Sequence, residues 1–263
     1  MERKGKKYGE INIQQVLPTP ERLASAILTS NTINCLVDVE YVGIPAQSTI
    51  FTESLQGFPT NSSQFIVLSN GLASEVPGTA VNFLSFLTGG PSLSPGAPQS
   101  SPDNLQSNDV VTFSLVFKVP NNPGNLSFDW KFGTDENPTF TQSFPDYFRA
   151  DVFTSSGVFN IALLPNNEPV TVTNAAPYSN NVTGSSENPQ PPFPVPNDVG
   201  YNAVTQIYTA SLNLAPYAGE EITLAFRVAD VNDSSIDSAV FIDYLRIDGC
   251  KVRRRSRGIK FCK

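Results

Sequence analysis

Strict two-residue alternation over the segment DVVTFSLVFKVPNNPGNLSFDWKFG is the feature that most constrains what this chain can fold into. Val111, Phe113, Leu115, Phe117 and Val119 take every second position, and Leu126, Phe128, Trp130 and Phe132 do so again after PNNPGN. Side chains two apart share a face only in an extended strand, so each run has one face that must be core. The spacing predicts a hairpin closed by the Pro/Asn/Gly turn. Similar short runs rich in Val, Ile, Phe and Thr recur from TINCLVDVEYVG to SAVFIDYLRID, separated by stretches such as TGGPSLSPGAPQSSPDNLQSN and NNVTGSSENPQPPFPVPND. With 40% apolar residues and no repeat period, the chain is expected to be all-β: a single β-sandwich of jelly-roll type with about ten or eleven strands. The convincing helix is TPERLASAILTS, where Thr19 caps, Pro20 and Glu21 suit the first turn, and Leu23, Ala26 and Ile27 share one side. We divide the chain into a basic N-terminal arm (1–18), the sandwich (19–249) and a basic, Cys-containing C-terminal tail (250–263).

Composition removes several chemistries. The chain has no histidine, which excludes Ser-His and Cys-His nucleophile pairs and imidazole zinc ligation. The net charge of −7 conceals an asymmetry, because residues 11–250 carry six basic residues against 22 acids, a net of −16, while the tail KVRRRSRGIKFCK has seven basic residues and no acid. Such a body repels nucleic acid and attracts cations. The tail suits an anionic polymer, a membrane surface or the acidic body of a neighbouring copy, or else serves as a solubilising tail. No apolar run nears the length of a membrane span, and none follows the basic start MERKGKK, so neither a membrane span nor a secretory leader is expected in this chain. The three cysteines, Cys35, Cys250 and Cys262, lack CxxC spacing; a Cys250–Cys262 disulfide is expected, with Cys35 buried in a strand or linking chains.

Acids mark the candidate sites. In EITLAFRVAD, Asp230 continues the face of Ile222, Leu224, Phe226 and Val228, and in SAVFIDYLRI, Asp243 falls on the face of Ala239, Phe241, Leu245 and Ile247. An acid on a core-facing row needs a partner. Calcium accepts Asp, Asn and carbonyl oxygens in loops, so Asp230, Asn232, Asp233, Asp237 and Asp243 are candidate ligands, together with Asp135 and Glu136 of FGTDENPTF. The alternative is that Asp230 and Asp233 cap a tight turn through backbone amides and Asp237 pins the next strand. Asp135 and Glu136 could also serve as a glycosidase pair, although adjacent residues point in opposite directions. Trp130, Tyr147, Tyr178, Phe193 and Tyr201 are candidates for stacking on sugars.

Several segments, in order over about residues 19–247, resemble the bacterial choice-of-anchor L domain: TPERLASAILTSNTINCLVDVEYVG, FIVLSNG, NDVVTFSLVFKVPNNPGNLSFDWKFGTDENPTF, ADVFTSSGVFNIALLPNNEPVTVTN and LAFRVADVNDSSIDSAVFIDYLRI. The family's usual Ser-Glu-Glu-Tyr-Pro run is here Thr134–Pro138, which keeps two acids and loses the Tyr. The acids shared with the family pattern are Asp109, Asp135, Glu136, Asp151, Asp230, Asp233 and Asp237. The resemblance implies a surface-associated β-sandwich without established catalytic residues. We therefore expect a non-enzymatic surface or extracellular structural or adhesive module, on a cell or spore surface, stabilised by Ca2+ and able to assemble into filaments or a surface layer. Its expected partners are copies of itself or surface polysaccharide. The rivals are a carbohydrate-binding module of jelly-roll type and a glycoside hydrolase using Asp135 and Glu136.

Overall fold

A computed structural model describes residues 17–76, 90–97, 100–136, 143–181, 201, 203–232 and 237–251. The arm before residue 17, Asp233, Phe193, Cys262 and the RRRSR run lie outside these residues. Helix α1 (Pro20–Ile27) forms where expected, with Thr19 accepting from the Arg22 N–H at 3.4 Å. The strands follow as β1 (Leu36–Val42), β2 (Ser48–Phe51), β3 (Phe65–Ser69), β4 (Ser107–Lys118) and β5 (Asn125–Thr134). Next come β6 (Tyr147–Thr154), β7 (Gly157–Asn160), β8 (Val170–Thr171), a one-turn helix α2 (Val172–Ala175) and β9 (Ser179–Asn181). The chain continues with β10 (Ala203–Thr205), β11 (Tyr208–Asn213), β12 (Glu221–Val231) and β13 (Ser238–Ile247). Thirteen strands among the described residues thus replace the ten or eleven expected. No helix among the described residues is long and apolar enough to cross a membrane.

The strands form two antiparallel sheets. One runs β1-β4-β12-β6-β7, with β8 also on β6; the other runs β2-β3-β13-β5-β10-β9, with β11 also on β5. The expected β4–β5 hairpin does not form. β4 pairs with β1 and β12, β5 pairs with β13, β10 and β11, and the PNNPGN turn carries the chain from one sheet to the other. Alternation determines which face a strand buries but not which strand lies beside it. Both apolar rows still enter one core: Phe113, Phe117, Phe128, Trp130 and Phe226 are buried between the sheets, and Phe128 meets Phe226 edge-on at 4.9 Å. A second cluster, with Phe58, Phe65, Val67, Tyr201 and Phe241, covers part of the outer face of the β13 sheet.

The disulfide joins Cys35 to Cys250, not Cys250 to Cys262. Cys35 ends the turn after α1 and Cys250 follows β13; both lie within the main core cluster, so Cys250 belongs with the packed domain. Sequence proximity had favoured the tail pairing, whereas the fold brings two cysteines 215 residues apart to a Cα separation of 5.9 Å. Closing so long a loop restricts the unfolded chain by about 5 kcal/mol. Reduction, or Cys35→Ser, is expected to lower the unfolding free energy by about 3–5 kcal/mol in a denaturant titration, and peptide mapping should recover Cys35 linked to Cys250. Equal midpoints with and without reductant would contradict this.

Candidate functional site: the acidic end of the sandwich

At one end of the sandwich the inward rows stop being apolar. On β12 the row Phe226, Val228 is continued by Asp230, and next to β6 the row Ala150, Phe148 is continued by Asp146. In the opposite sheet Ile66 and Leu68 of β3 lead to Asn70, and Val240 of β13 leads back to Ser238. Asp146, Asp230, Asn70 and Ser238 are each no more than 1% exposed.

The Asn70 amide joins these groups. Its Oδ1 accepts from the Ser238 N–H at 2.7 Å, which fixes the orientation of the amide. Its Nδ2 therefore points at the other sheet, donating to Asp146 Oδ2 at 2.8 Å and to Asp230 Oδ1 at 2.5 Å. Asp146 Oδ1 accepts from the Val231 N–H at 2.9 Å, and the Asp146 and Asp230 carboxyls also hydrogen-bond one another. Two carboxyls can bond each other only by sharing a proton, and burial pushes Asp146 up to about 8. The partner that Asp230 required is thus an amide and a proton. Neither Asn70 nor Asp146 was identified from sequence: Asn70 is next to last in the run FIVLSNG and Asp146 precedes its strand, both without any charge pattern.

Asp135, Glu136 and Asp237 lie at the same end. They are 8%, 0% and 3% exposed, and the Asp135 N–H bonds the Asp237 carbonyl at 3.1 Å. Gly71 packs directly on the Asp237 carboxylate: a Cβ there would stand 2.1 Å from Oδ2. Burial, and then the charges of Asp237, Asp135 and Asp146, raise the Tyr201 phenol well above its ordinary value. These are hard anionic oxygens of the type calcium takes. Among the described residues, however, no three acids or cysteines are placed to hold a metal together.

The remaining candidates lie elsewhere or are otherwise engaged. Asn232 is exposed and donates from Nδ2 to the Ser143 carbonyl at 3.3 Å. Asp243 is not on the row between the sheets. A bulge between Asp243 and Arg246 shifts the register, so Val240, Ile242, Leu245 and Ile247 face the core, and Asp243 lies on the outer face with Phe241. Its carboxylate accepts there from the Thr60 N–H at 2.7 Å, the Asn61 N–H at 3.3 Å and the hydroxyls of Thr60 and Ser62 at 3.1 and 2.6 Å. Asp151 pairs with Arg149 at 2.8 Å and Arg227 at 3.6 Å. Asp109 has a left-handed φ of 44° in a β4 bulge and accepts from the Gly90 N–H. Of the aromatic candidates, Trp130, Tyr147 and Tyr201 are buried and Tyr178 is half-buried.

A family model described as the choice-of-anchor L domain matches residues 12–245. No curated protein matches the chain. Among solved structures, the chain is similar to TmCBM61 in complex with β-1,4-galactotriose (8% identity, TM-score 0.36, 84% of this chain and 97% of that one). It is also similar to CBM28, a non-crystalline cellulose specific carbohydrate-binding module (12%, TM-score 0.31, 80% and 88%). A third likeness is to the K1 cleaved adhesin domain of Lys-gingipain from Porphyromonas gingivalis W83 (15%, TM-score 0.26, 79% and 99%). Scores this low do not establish a common fold.

The Asn70 clasp leads to two expected outcomes. Asn70→Leu removes one donor from each of two buried carboxyls and the acceptor of the Ser238 N–H, and should cost about 3–5 kcal/mol in chemical denaturation. The folded state also keeps a proton on Asp146 that the unfolded chain releases near 3.8, so this contribution is full below about 4 and is lost as pH rises through about 8. Melting curves from pH 5 to 9 should show that decline, and Asp146→Asn should flatten it.

Proposed function

The chain belongs to the choice-of-anchor L domain family, and from that membership we propose that it is a non-enzymatic structural or adhesive module of a cell surface or extracellular layer, stabilised by calcium. The observation that carries the surface assignment is the buried Cys35–Cys250 bridge, because structural disulfides persist outside the reducing cytosol. A non-enzymatic role is supported by the environment of the acids. Glu136 is fully buried and Asp135 nearly so, whereas a glycosidase must bring two carboxyls to a substrate in an open cleft.

The acids left for calcium are Asp135, Glu136 and Asp237, which lie at adjoining ends of β5 and β13 and would have to draw their carboxylates together around the ion, since they are not placed to hold one as they stand. Asp230 and Asp243 suit it less well. The Asn70 amide hydrogens face Asp230, and four donors already surround Asp243. A divalent cation at the first group would offset buried negative charge in a body whose net charge is −16 over residues 11–250.

Binding to the native state alone raises stability by about 2.7 kcal/mol at a hundredfold excess over the dissociation constant. Calcium should therefore raise the melting midpoint relative to chelator, and Asp237→Asn should remove most of the difference while leaving the chelator curve nearly unchanged. A midpoint indifferent to calcium would end this part of the proposal. Attachment of the labelled protein to the surface of the cells that produce it tests the adhesive role, and absence of attachment would reject it.

A further inference from the structure

The bulge in β13 does more than move Asp243. Between the inward-facing Ile242 and Leu245 it leaves two residues, Asp243 and Tyr244, where strict alternation allows one. Tyr244 takes the left-handed region at φ 54° and remains partly exposed, with the Arg246 guanidinium 4.8 Å from its ring centre. Beside β13 on β5 are Ser127, opposite Arg246, and Asp129, opposite Asp243. On the far side of β5, Thr209 pairs with Asp129 and Ser211 with Ser127, both exposed at their β11 positions. The loop carrying Phe58 covers the neighbouring part of this face: its Thr60, Asn61 and Ser62 hold Asp243 and its Gln56 carbonyl accepts from Lys131, beside Ser127 and Asp129, which are 3% and 8% exposed.

The chemistry of this area is specific. Asp129, 8% exposed, accepts from the Thr209 hydroxyl at 2.7 Å through Oδ1. On this face Arg246 and Lys131 offset Asp129 and Asp243 in charge, so the patch supplies a partly exposed ring, a guanidinium donor, a nearly buried carboxylate acceptor and small hydroxyls without net charge. Three strands span about 10 Å, enough for one or two sugar rings. The surrounding body, at −16, repels anionic polymers. We propose that this face of β13, β5 and β11 binds uncharged sugar units of a polysaccharide, with Tyr244 as the platform and Asp129, Arg246 and Thr209 as hydrogen-bonding groups. It rests on the adhesive role and names the ligand class for it.

Affinity electrophoresis of the full chain through gels containing mixed-linkage β-glucan, xylan, galactan or galactomannan, with alginate as the anionic comparison, tests the assignment. Retardation is expected in at least one neutral gel. Tyr244→Asn, which removes the ring and suits the backbone, and Asp129→Asn should each weaken it at least tenfold. Ser211→Trp, at an exposed position, should block it with an unchanged melting midpoint. Retardation in no neutral gel, in alginate alone, or equally in all variants would overturn the patch. Equal retardation of all variants leaves the adhesive role standing. If the wild type attaches to cells but enters every neutral gel freely, only the ligand class falls; if it does neither, both fall.

Discussion

Each central strand of this sandwich must keep one row of side chains on a core shared by two sheets, and alternation of the backbone allows that row no error. A slip of one residue would exchange every buried side chain for its polar neighbour. Among the described residues the ladders shift register at three places, one in β1 between Leu36 and Asp38 and two in the central strands β4 and β13, next to acids. In β4 the bulge lies opposite Ala229, between the pairs Val111–Val228 and Asn108–Asp230, and places Asp109 at φ 44°. In β13 it lies between Asp243 and Arg246, returning Leu245 and Ile247 to the core while Asp243 and Tyr244 stay outside. Polar groups on the outer face of β13 are therefore positioned by what its apolar residues require.

The buried acids are stabilised in three different ways, each suited to its surroundings. Asp151, on the outer face of the β12 sheet, has two arginines within reach. Asp243 is held by backbone N–H groups and hydroxyls of one loop, so no cation is required. Asp146 and Asp230 face the core, where hydrogen bonds reach them from the Asn70 amide, the Val231 N–H and the Ser238 side chain, and they remain there by sharing a proton. Because Asn70 extends β3 while the acids belong to the opposite sheet, this clasp ties the sheets together by hydrogen bonds at an end where the apolar rows have stopped.

Face assignment was legible in the sequence where alternation was unbroken, as on β4 from Val111 onward and on β5 and β12, and the helix was legible from its Thr19 cap. The need of Asp230 for a partner was also legible, since its parity with Val228 holds in the structure. The same parity failed for Asp243 because a bulge leaves no mark in a run as regular as SAVFIDYLRI. Partner choice was not legible either. The β4 and β5 patterns suit a hairpin as well as a crossover between sheets, and only the competing pairing of β12 and β13 decides the outcome. Asn70 lies 76, 160 and 168 residues from the groups its amide binds and Cys35 lies 215 from its partner, beyond the reach of any local rule.

β13 also explains why rigidity and recognition can coincide in one strand. Its first residue, Ser238, is fixed by the Asn70 amide, and three residues past its end Cys250 is bound covalently to Cys35. Between these two anchors the strand covers about 30 Å, with β3 on one side and β5 on the other. Tyr244 lies within this span, and its strained φ persists because the residues on both sides are committed to the core. A surface group held in this way gives up little conformational freedom when a ligand arrives, so more of each contact remains as affinity. The clasp and the disulfide therefore stabilise the sandwich and also hold its outer face ready for contact.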